Sequence, residues 1–273
     1  MDRKILRDFL ISKNEGKRHA ELLCPLTDIH KKELEGGHGN AKDEYNYIDS
    51  STALGVNYFL LLQAKNPSLE LRFEWNESSP LTKGGKSNLD VMVKDGDKIT
   101  FYESKFLEPY YMCNSRFADS YYQFENYHKH WSFSREELCT IIQDFQSPSY
   151  CNTSQLLRHL LAIVNHVINK PEAYKGIKMV ELNSISWKMT EIYKEQLQSH
   201  NNFSQRSMSF LDKRIKTLSR EEDAAKAMFR DFIDKYVRCK LPNGIDFRFD
   251  TSCYNDKASE IDSPEFMDRY FLI

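Results

Sequence analysis

Asp90 and the run Glu103-Ser104-Lys105 are the residues of this chain whose types and spacing could do chemistry. They fall on two consecutive stretches of strand character, 87–94 and 98–105, with Asp95-Gly96 between them. Asp-Gly between two such runs signals a hairpin, because both residues tolerate positive φ. If Asp95 and Gly96 are the two loop residues, Asp90 faces Phe101. Side chains alternate along a strand, so Glu103 and Lys105 share the face of Phe101. Asp90, Glu103 and Lys105 then point the same way, with the carboxylates in diagonal reach. A three-residue loop would send Asp90 to the other face, and a four-residue loop would set it directly across from Glu103.

Two carboxylates on neighbouring strands can hold Mg²⁺, which prefers oxygen ligands and keeps several waters. Such an ion polarises a phosphoryl oxygen and lowers the pKa of a bound water. A lysine on the same face can stabilise developing phosphate charge or orient the attacking water. The same residues would also suit a surface hairpin carrying a Lys–Glu pair of little energetic weight. The neighbours bear on that choice. Leu89, Val91, Met92, Val93, Ile99, Phe101, Tyr102, Phe106 and Leu107 put apolar side chains on both faces, which implies strands covered on both sides. Acids and a lysine inside such strands are costly unless paired or bound to metal.

Ser87-Asn88-Leu89-Asp90, followed by Glu103-Ser104-Lys105-Phe106-Leu107-Glu108-Pro109-Tyr110, resembles the core motif of the PD-(D/E)xK, or restriction-endonuclease-like, nuclease superfamily. The tail E-S-K-F-x-E-P-Y is similar to one bacterial group within it. The resemblance spans about Asp49 to Trp187. Its proline-aspartate half is degenerate, with Asn88-Leu89 before Asp90 and Pro80 well upstream. It implies a mixed α/β fold: a helix, three strands, a second helix and a fourth strand in a central mixed sheet. It also implies Asp90 and Glu103 as ligands of Mg²⁺ (or Mn²⁺), the Ser104 carbonyl as a further ligand, and Lys105 as the group that orients the hydrolytic water. Members often add an acidic residue from the first helix or its surroundings. The helix here has none, so Glu74, Glu44 and Glu35 are the substitutes to consider, each read first as a solvated carboxylate. Glu108 matches an acidic position of the group, with either a supporting role at Lys105 or a capping role. Gln155, Arg158 and His159 are candidates on the second core helix for phosphate contact or water positioning, against the reading of a solvated stripe.

Several elements must position these residues. Asp49, Ser50 and Ser51 offer N-caps for a nearly all-apolar, buried helix over 52–65, ended by Asn66-Pro67. Asn57 is its one embedded polar residue, either a satisfied core amide or a site residue. Leu69, Leu71, Phe73 and Trp75 alternate with Glu70, Arg72 and Glu74, predicting a first strand with the four apolar residues on one face. Residues 110–152 interleave aromatics with cations, suiting either base stacking or a helical insertion that completes the core. An amphipathic helix over 154–168 and a strand over 175–187 follow.

Residues 1–34 read as one or two charged helices, and 35–40 as a glycine-rich loop without the Lys-Ser/Thr of a P-loop. Beyond 187 the chain reads as a mostly helical elaboration. Ser219-Arg220-Glu221-Glu222 forms a capping box opening a helix to about Cys239, and 245–249 a short strand. Arg206, Lys213, Arg214 and Lys216 form a modest basic cluster, read first as a solvated face. Three roles stay open for this region: docking on the core, a homodimer surface, or substrate selection.

At 273 residues with net charge −2 and pI near 6.5, the chain has no general basic coat for nucleic acid. Six cysteines without C-x-x-C spacing favour reduced thiols over a disulfide framework. The start of the chain lacks a secretory apolar core, and the longest apolar run, near 58–62, is too short to span a membrane. A cytoplasmic setting is expected. The function expected is a metal-dependent nuclease acting on DNA in restriction, repair or defence. The alternatives are a catalytically silent nucleic-acid-binding or assembly module of the same fold, and an RNA or nucleotide phosphoesterase.

Overall fold

The structure, a computed structural model, describes residues 3–36, 45–82, 86–111, 116–129, 131–145, 151–200, 204–242 and 244–270. The expected hairpin is its centre. Strands β2 (Leu89–Asp95) and β3 (Lys98–Lys105) pair antiparallel, with Asp95 opposite Lys98 and Met92 opposite Phe101. The loop residues are therefore Gly96 and Asp97, one step later than the Asp95-Gly96 loop expected. Gly96 takes the positive φ, at 55°, which costs glycine no Cβ clash. The Asp97 carbonyl accepts from the Lys178 and Met179 N–H groups, tying the turn to the next strand. The shift moves each partner by two residues, so every side chain keeps its face.

Strand β1 (Glu70–Trp75) pairs antiparallel with β2, while β4 (Met179–Ser186) and β5 (Asp246–Cys253) continue the sheet in parallel. The order is β1-β2-β3-β4-β5. The fold is mixed α/β, a five-stranded mixed sheet flanked by helices. The strand expected at 245–249 is thus longer, and it belongs to the same sheet as the motif.

Helix α1 (Arg3–Lys13) and α2 (Asp28–Gly36) precede the core. Helix α3 (Ser51–Lys65) starts at Ser50, whose hydroxyl accepts from the Thr52 N–H. Apolar nearly all round, it is buried against one sheet face in a cluster with Phe73, Val91, Phe106 and Trp187. After the short α4 (Glu108–Tyr111) and α5 (Arg135–Asp144), opened by a Ser134/Glu137 capping box, comes α6 (Thr153–Asn169). It covers the opposite face in a second cluster with Trp75, Phe101, Leu182 and Phe247. Both faces of the sheet are buried, as the two-sided apolar pattern requires.

Trp75 departs from the expected alternation. Leu71 and Phe73 pack on the α3 side, whereas Trp75 joins the α6 side, its ring 4.8 Å from Phe101. The cause lies between them: Glu74 has φ +50°, a left-handed backbone that reverses the order of faces.

In the aromatic segment Phe117, Tyr127, Trp131 and Phe133 complete the α6-side core, and Trp131 Nε1 donates to the Pro80 carbonyl at 2.8 Å. Tyr122 and Phe124 stay exposed.

Helices α7 (Glu191–Ser199) and α8 (Gln205–Phe232) follow β4, and α9 (Tyr254–Ile261) and α10 (Pro264–Arg269) follow β5. No helix begins at Ser219. Helix α8 starts at Ser204, whose hydroxyl accepts from Ser207 N, and runs through the expected box into a π-helical turn, Ile233–Val237. A helix already under way extends at one bond per residue, so an S-x-x-E pattern inside it starts nothing. Arg214 is no part of a basic surface either. It is buried, and Nε donates to the Pro109 carbonyl at 2.9 Å.

Cys24, Cys139, Cys151, Cys239 and Cys253 are free thiols. Cys113 and loop residues 37–44, including Glu44, lie outside the described residues. Among those described, no helix is long and apolar enough to cross a membrane.

Candidate active site

Two ladders align the acids. In the β1–β2 register Phe73 faces Val91 and Trp75 faces Leu89, which sets Glu74 opposite Asp90. In the β2–β3 register Val91 faces Tyr102, and one step further Asp90 lies opposite Glu103. Glu74, Asp90 and Glu103 therefore form one row across three strands. Lys105 lies two residues beyond Glu103 on the same face. The Ser104 N–H donates to Asp90 Oδ2 at 2.7 Å, so the main chain of the motif itself orients the first carboxylate.

Helix α6 lays its first two turns over this row. Lys105 Nζ donates to Glu103 Oε1 at 2.5 Å and to Gln155 Oε1 at 3.3 Å. Gln155 Nε2 donates to the same Glu103 oxygen at 2.7 Å, and Asn152 Nδ2 donates to Gln155 Oε1 at 2.7 Å. Asn152 is also the N-cap of α6, accepting from the Gln155 N–H. One turn on, His159 Nε2 lies 3.1 Å from Glu103 Oε2. The two side chains form an ion-pair contact. Glu103 Oε2 and both His159 ring nitrogens are buried with no hydrogen-bond partner among the described residues. Glu103 is 2% exposed and His159 4%.

The electrostatics follow from three acids crowded beside one lysine. Burial and the Glu103 charge push Glu74 up to about 7, against a weak opposing bond from Asn88. Asp90 is half-buried. Burial first, then the charges of Glu103 and Glu74, hold it well above the usual carboxylate range despite Lys105 and the Ser104 N–H. Burial alone would raise Glu103 as well, but the charges of Lys105 and His159 outweigh it and bring it to about 2. Burial would lower Lys105, and Glu103, Asp90 and Glu108 overcome it, so the ammonium is held above its ordinary value.

The remaining candidates separate. Glu108 sits near enough to act on the Lys105 charge, and its Oε2 accepts from the Phe106 N–H at 2.9 Å. Arg158 is partly exposed and bonds its own helix at the Ser154 carbonyl, 3.4 Å away. Ser104 turns its hydroxyl to the far face, where it donates to the Ser51 carbonyl at 3.0 Å and pairs with the Tyr254 hydroxyl at 2.8 Å. Asn57 is not in the site. It receives the Leu23 N–H at 2.7 Å and donates to the Ala53 carbonyl and the Tyr270 hydroxyl, joining both ends of the chain to α3. Glu35 is exposed on α2, and its neighbour Glu33 instead grips Arg72 and the Phe73 N–H.

Two contributors escaped the sequence reading. Asn152 was signalled only as a residue preceding an amphipathic helix. Glu222 was read only as the last residue of a capping box. It reaches Ser186, the β4 partner of Lys105, accepting from Ser186 Oγ at 3.1 Å. Burial raises Glu222 above its ordinary value, against the Lys188 charge and the Ser186 bond.

Among the described residues no three His, Cys, Asp or Glu side chains form a ready-made metal cage. The donor set nevertheless fits a hard divalent cation. Mg²⁺ is commonly held by one or two carboxylates plus waters, and Glu103 Oε2 is a buried carboxylate oxygen without a hydrogen bond. Two raised carboxylates beside it are what a cation would relieve. No protein-family model, no curated protein and no solved structure matches this chain.

Proposed function

We propose that this chain is a metal-dependent nuclease with a restriction-endonuclease-like core, hydrolysing phosphodiester bonds in DNA. The observation that carries the reading is the row Glu74, Asp90, Glu103 across three strands, with Lys105 beside it. A purely structural ion pair needs one carboxylate for one lysine. Here two further acids crowd the same place, and their ionised forms are disfavoured.

Asp90 and Glu103 would hold Mg²⁺ or Mn²⁺, with Glu74 and the Ser104 carbonyl as further oxygens. The bound ion would supply Lewis-acid polarisation of the phosphoryl group and a more acidic water. Lys105 keeps its proton, so it serves as a fixed positive charge that orients the attacking water and balances charge on the phosphate. Gln155 bonds both Glu103 and Lys105 and fixes their mutual geometry. With acids in such surplus, a phosphate would be repelled unless a cation is present, so activity requires metal.

The test is cleavage of supercoiled plasmid, linear duplex, single-stranded DNA, RNA and nucleotide phosphoesters with Mg²⁺ or Mn²⁺, beside EDTA. We expect metal-dependent DNA cleavage that falls by about 10²-fold or more in Lys105→Ala, the range set by loss of one charge-stabilising donor. Asp90→Ala should abolish it. Cleavage confined to RNA or nucleotides would move the substrate class. No cleavage together with no metal binding by calorimetry would leave a catalytically silent nucleic-acid-binding module.

A further inference from the structure

Helix α8 presents two adjacent acids, Glu221 and Glu222, to the elements that flank Lys105. Neighbours on a helix stand about 100° apart around its axis, so the two reach different targets. Glu222 Oε1 accepts from Ser186 Oγ at 3.1 Å, and Ser186 is the β4 partner of Lys105. Glu221 Oε2 accepts the Cys151 N–H at 3.0 Å, at the entry to α6. Cys151 is buried. Its thiol is pushed up to about 12, by burial first and then by the charges of Glu222 and Glu221, while the Lys105 charge acts the other way. Both acids and the lysine therefore stand near this one residue.

A short relay runs from Glu221 to the lysine. Cys151 leads directly into Asn152, the N-cap of α6, whose Nδ2 donates to Gln155 Oε1 at 2.7 Å. That same oxygen receives Lys105 Nζ at 3.3 Å, and Gln155 Nε2 donates to Glu103 Oε1 at 2.7 Å. The place of the ammonium thus depends on Gln155. The place of Gln155 depends on Asn152, and the main chain just before Asn152 is held by α8.

We infer that Glu221 is a positioning residue for Lys105: by holding the Cys151 N–H it fixes Asn152 and Gln155, and through them the ammonium. This rests on the nuclease reading above for what the lysine then does, and it deepens that reading by giving the region beyond Trp187 a part in the reaction. Helix α8 aims the charge without touching substrate. A displacement of about 1 Å caused far from the chemistry can cost about 10²-fold in rate. A hydrogen bond that never meets the phosphate can therefore govern turnover.

The experiment compares Glu221→Ala with Glu221→Gln, which keeps a side-chain oxygen able to accept the same bond. The first readout needs no activity. It is the Gln155 side-chain amide in heteronuclear NMR spectra of the intact chain, identified by its loss in Gln155→Glu. We expect its resonances to move in Glu221→Ala and to stay in place in Glu221→Gln. The second readout is steady-state DNA cleavage. There kcat should fall by about tenfold or more in Glu221→Ala with KM unchanged, and recover in Glu221→Gln. A tie that only stabilises the fold would lower the melting temperature and leave the Gln155 amide and kcat where they were. That result would overturn the inference. Should Glu221→Ala not fold, Glu221→Asp, which withdraws the oxygen by one methylene, takes its place. If the unmutated protein cleaves nothing, the nuclease reading falls by itself, and the Gln155 amide still decides whether α8 positions the site.

Discussion

Glu74 costs the folded protein stability wherever it is ionised. Its pKa rises from 4.5 to about 7 on folding, so the folded chain holds a proton that the unfolded chain has released between those values. Stability from this group is present below pH 4.5 and is lost as pH rises to about 7, a swing on the order of 3 kcal/mol. Glu103 acts in the opposite sense and a lower window: its pKa falls to about 2, so its contribution is present above 4.5 and is lost as pH drops toward 2. Asp90, raised as well, acts in the same sense as Glu74, so the metal-free site should lose stability as pH rises from the usual carboxylate range toward neutrality. Glu74→Gln should flatten the limb between 4.5 and 7.5, and melting curves across that range would check it. An unchanged slope would mean that burial and Glu103 do not raise the Glu74 pKa. Asp90, Glu103 and Lys105 were legible from spacing because their alternation survives a register shift of two. Glu74 was only one of three substitutes, since its place depends on a left-handed backbone that no pattern of residue types announces. Asn57 misled for the converse reason: an amide in an apolar helix has the same sequence signature whether it touches a substrate or ties down a loop.

Helix α3 approaches the motif strand closely at Gly55. A Cβ there would lie 3.3 Å from Ser104 Oγ and 3.5 Å from the Tyr254 hydroxyl. Ser104 is held by bonds to Ser51 and Tyr254 and has little room to give. Gly55→Val should cost about 1–3 kcal/mol through overpacking, read from urea unfolding. Helix starts give a paired prediction. Ser204→Ala removes the cap of α8 and should cost about 1 kcal/mol, while Ser219→Ala, mid-helix, should stay within about 0.5 kcal/mol. The reverse order would restore a helix boundary at Ser219. The apolar helix at 52–65, the hairpin and the amphipathic helix were all legible, because each is specified by residues close in sequence. The continuity of α8 was not. A capping box is a local signal, and whether a helix starts there depends on what precedes it.

The two hydrophobic clusters, one on each face, both draw on the region beyond Trp187: Phe229, Phe232 and Phe247 on the α6 side, Leu211, Tyr254 and Phe266 on the α3 side. A chain ending at 187 would leave β4 as an edge and strip apolar cover from Leu182 and Trp187. It should fail to give a cooperative thermal transition or a dispersed amide NMR spectrum; a well-folded 1–187 would show the remainder to be dispensable. The parallel pairing of β5 was hard to foresee because its partner, β4, lies some sixty residues earlier in the chain.

That late strand carries Tyr254 to the back of Ser104, and Tyr270 follows to accept the Trp187 indole N–H at 2.7 Å. During synthesis, then, the row of acids cannot be clamped from behind until residues 254–270 have left the ribosome. A growing chain passes most of its translation with the motif already made and its support still to come. The order in which the residues are delivered thus leaves the packing behind Ser104 to the last stage of synthesis.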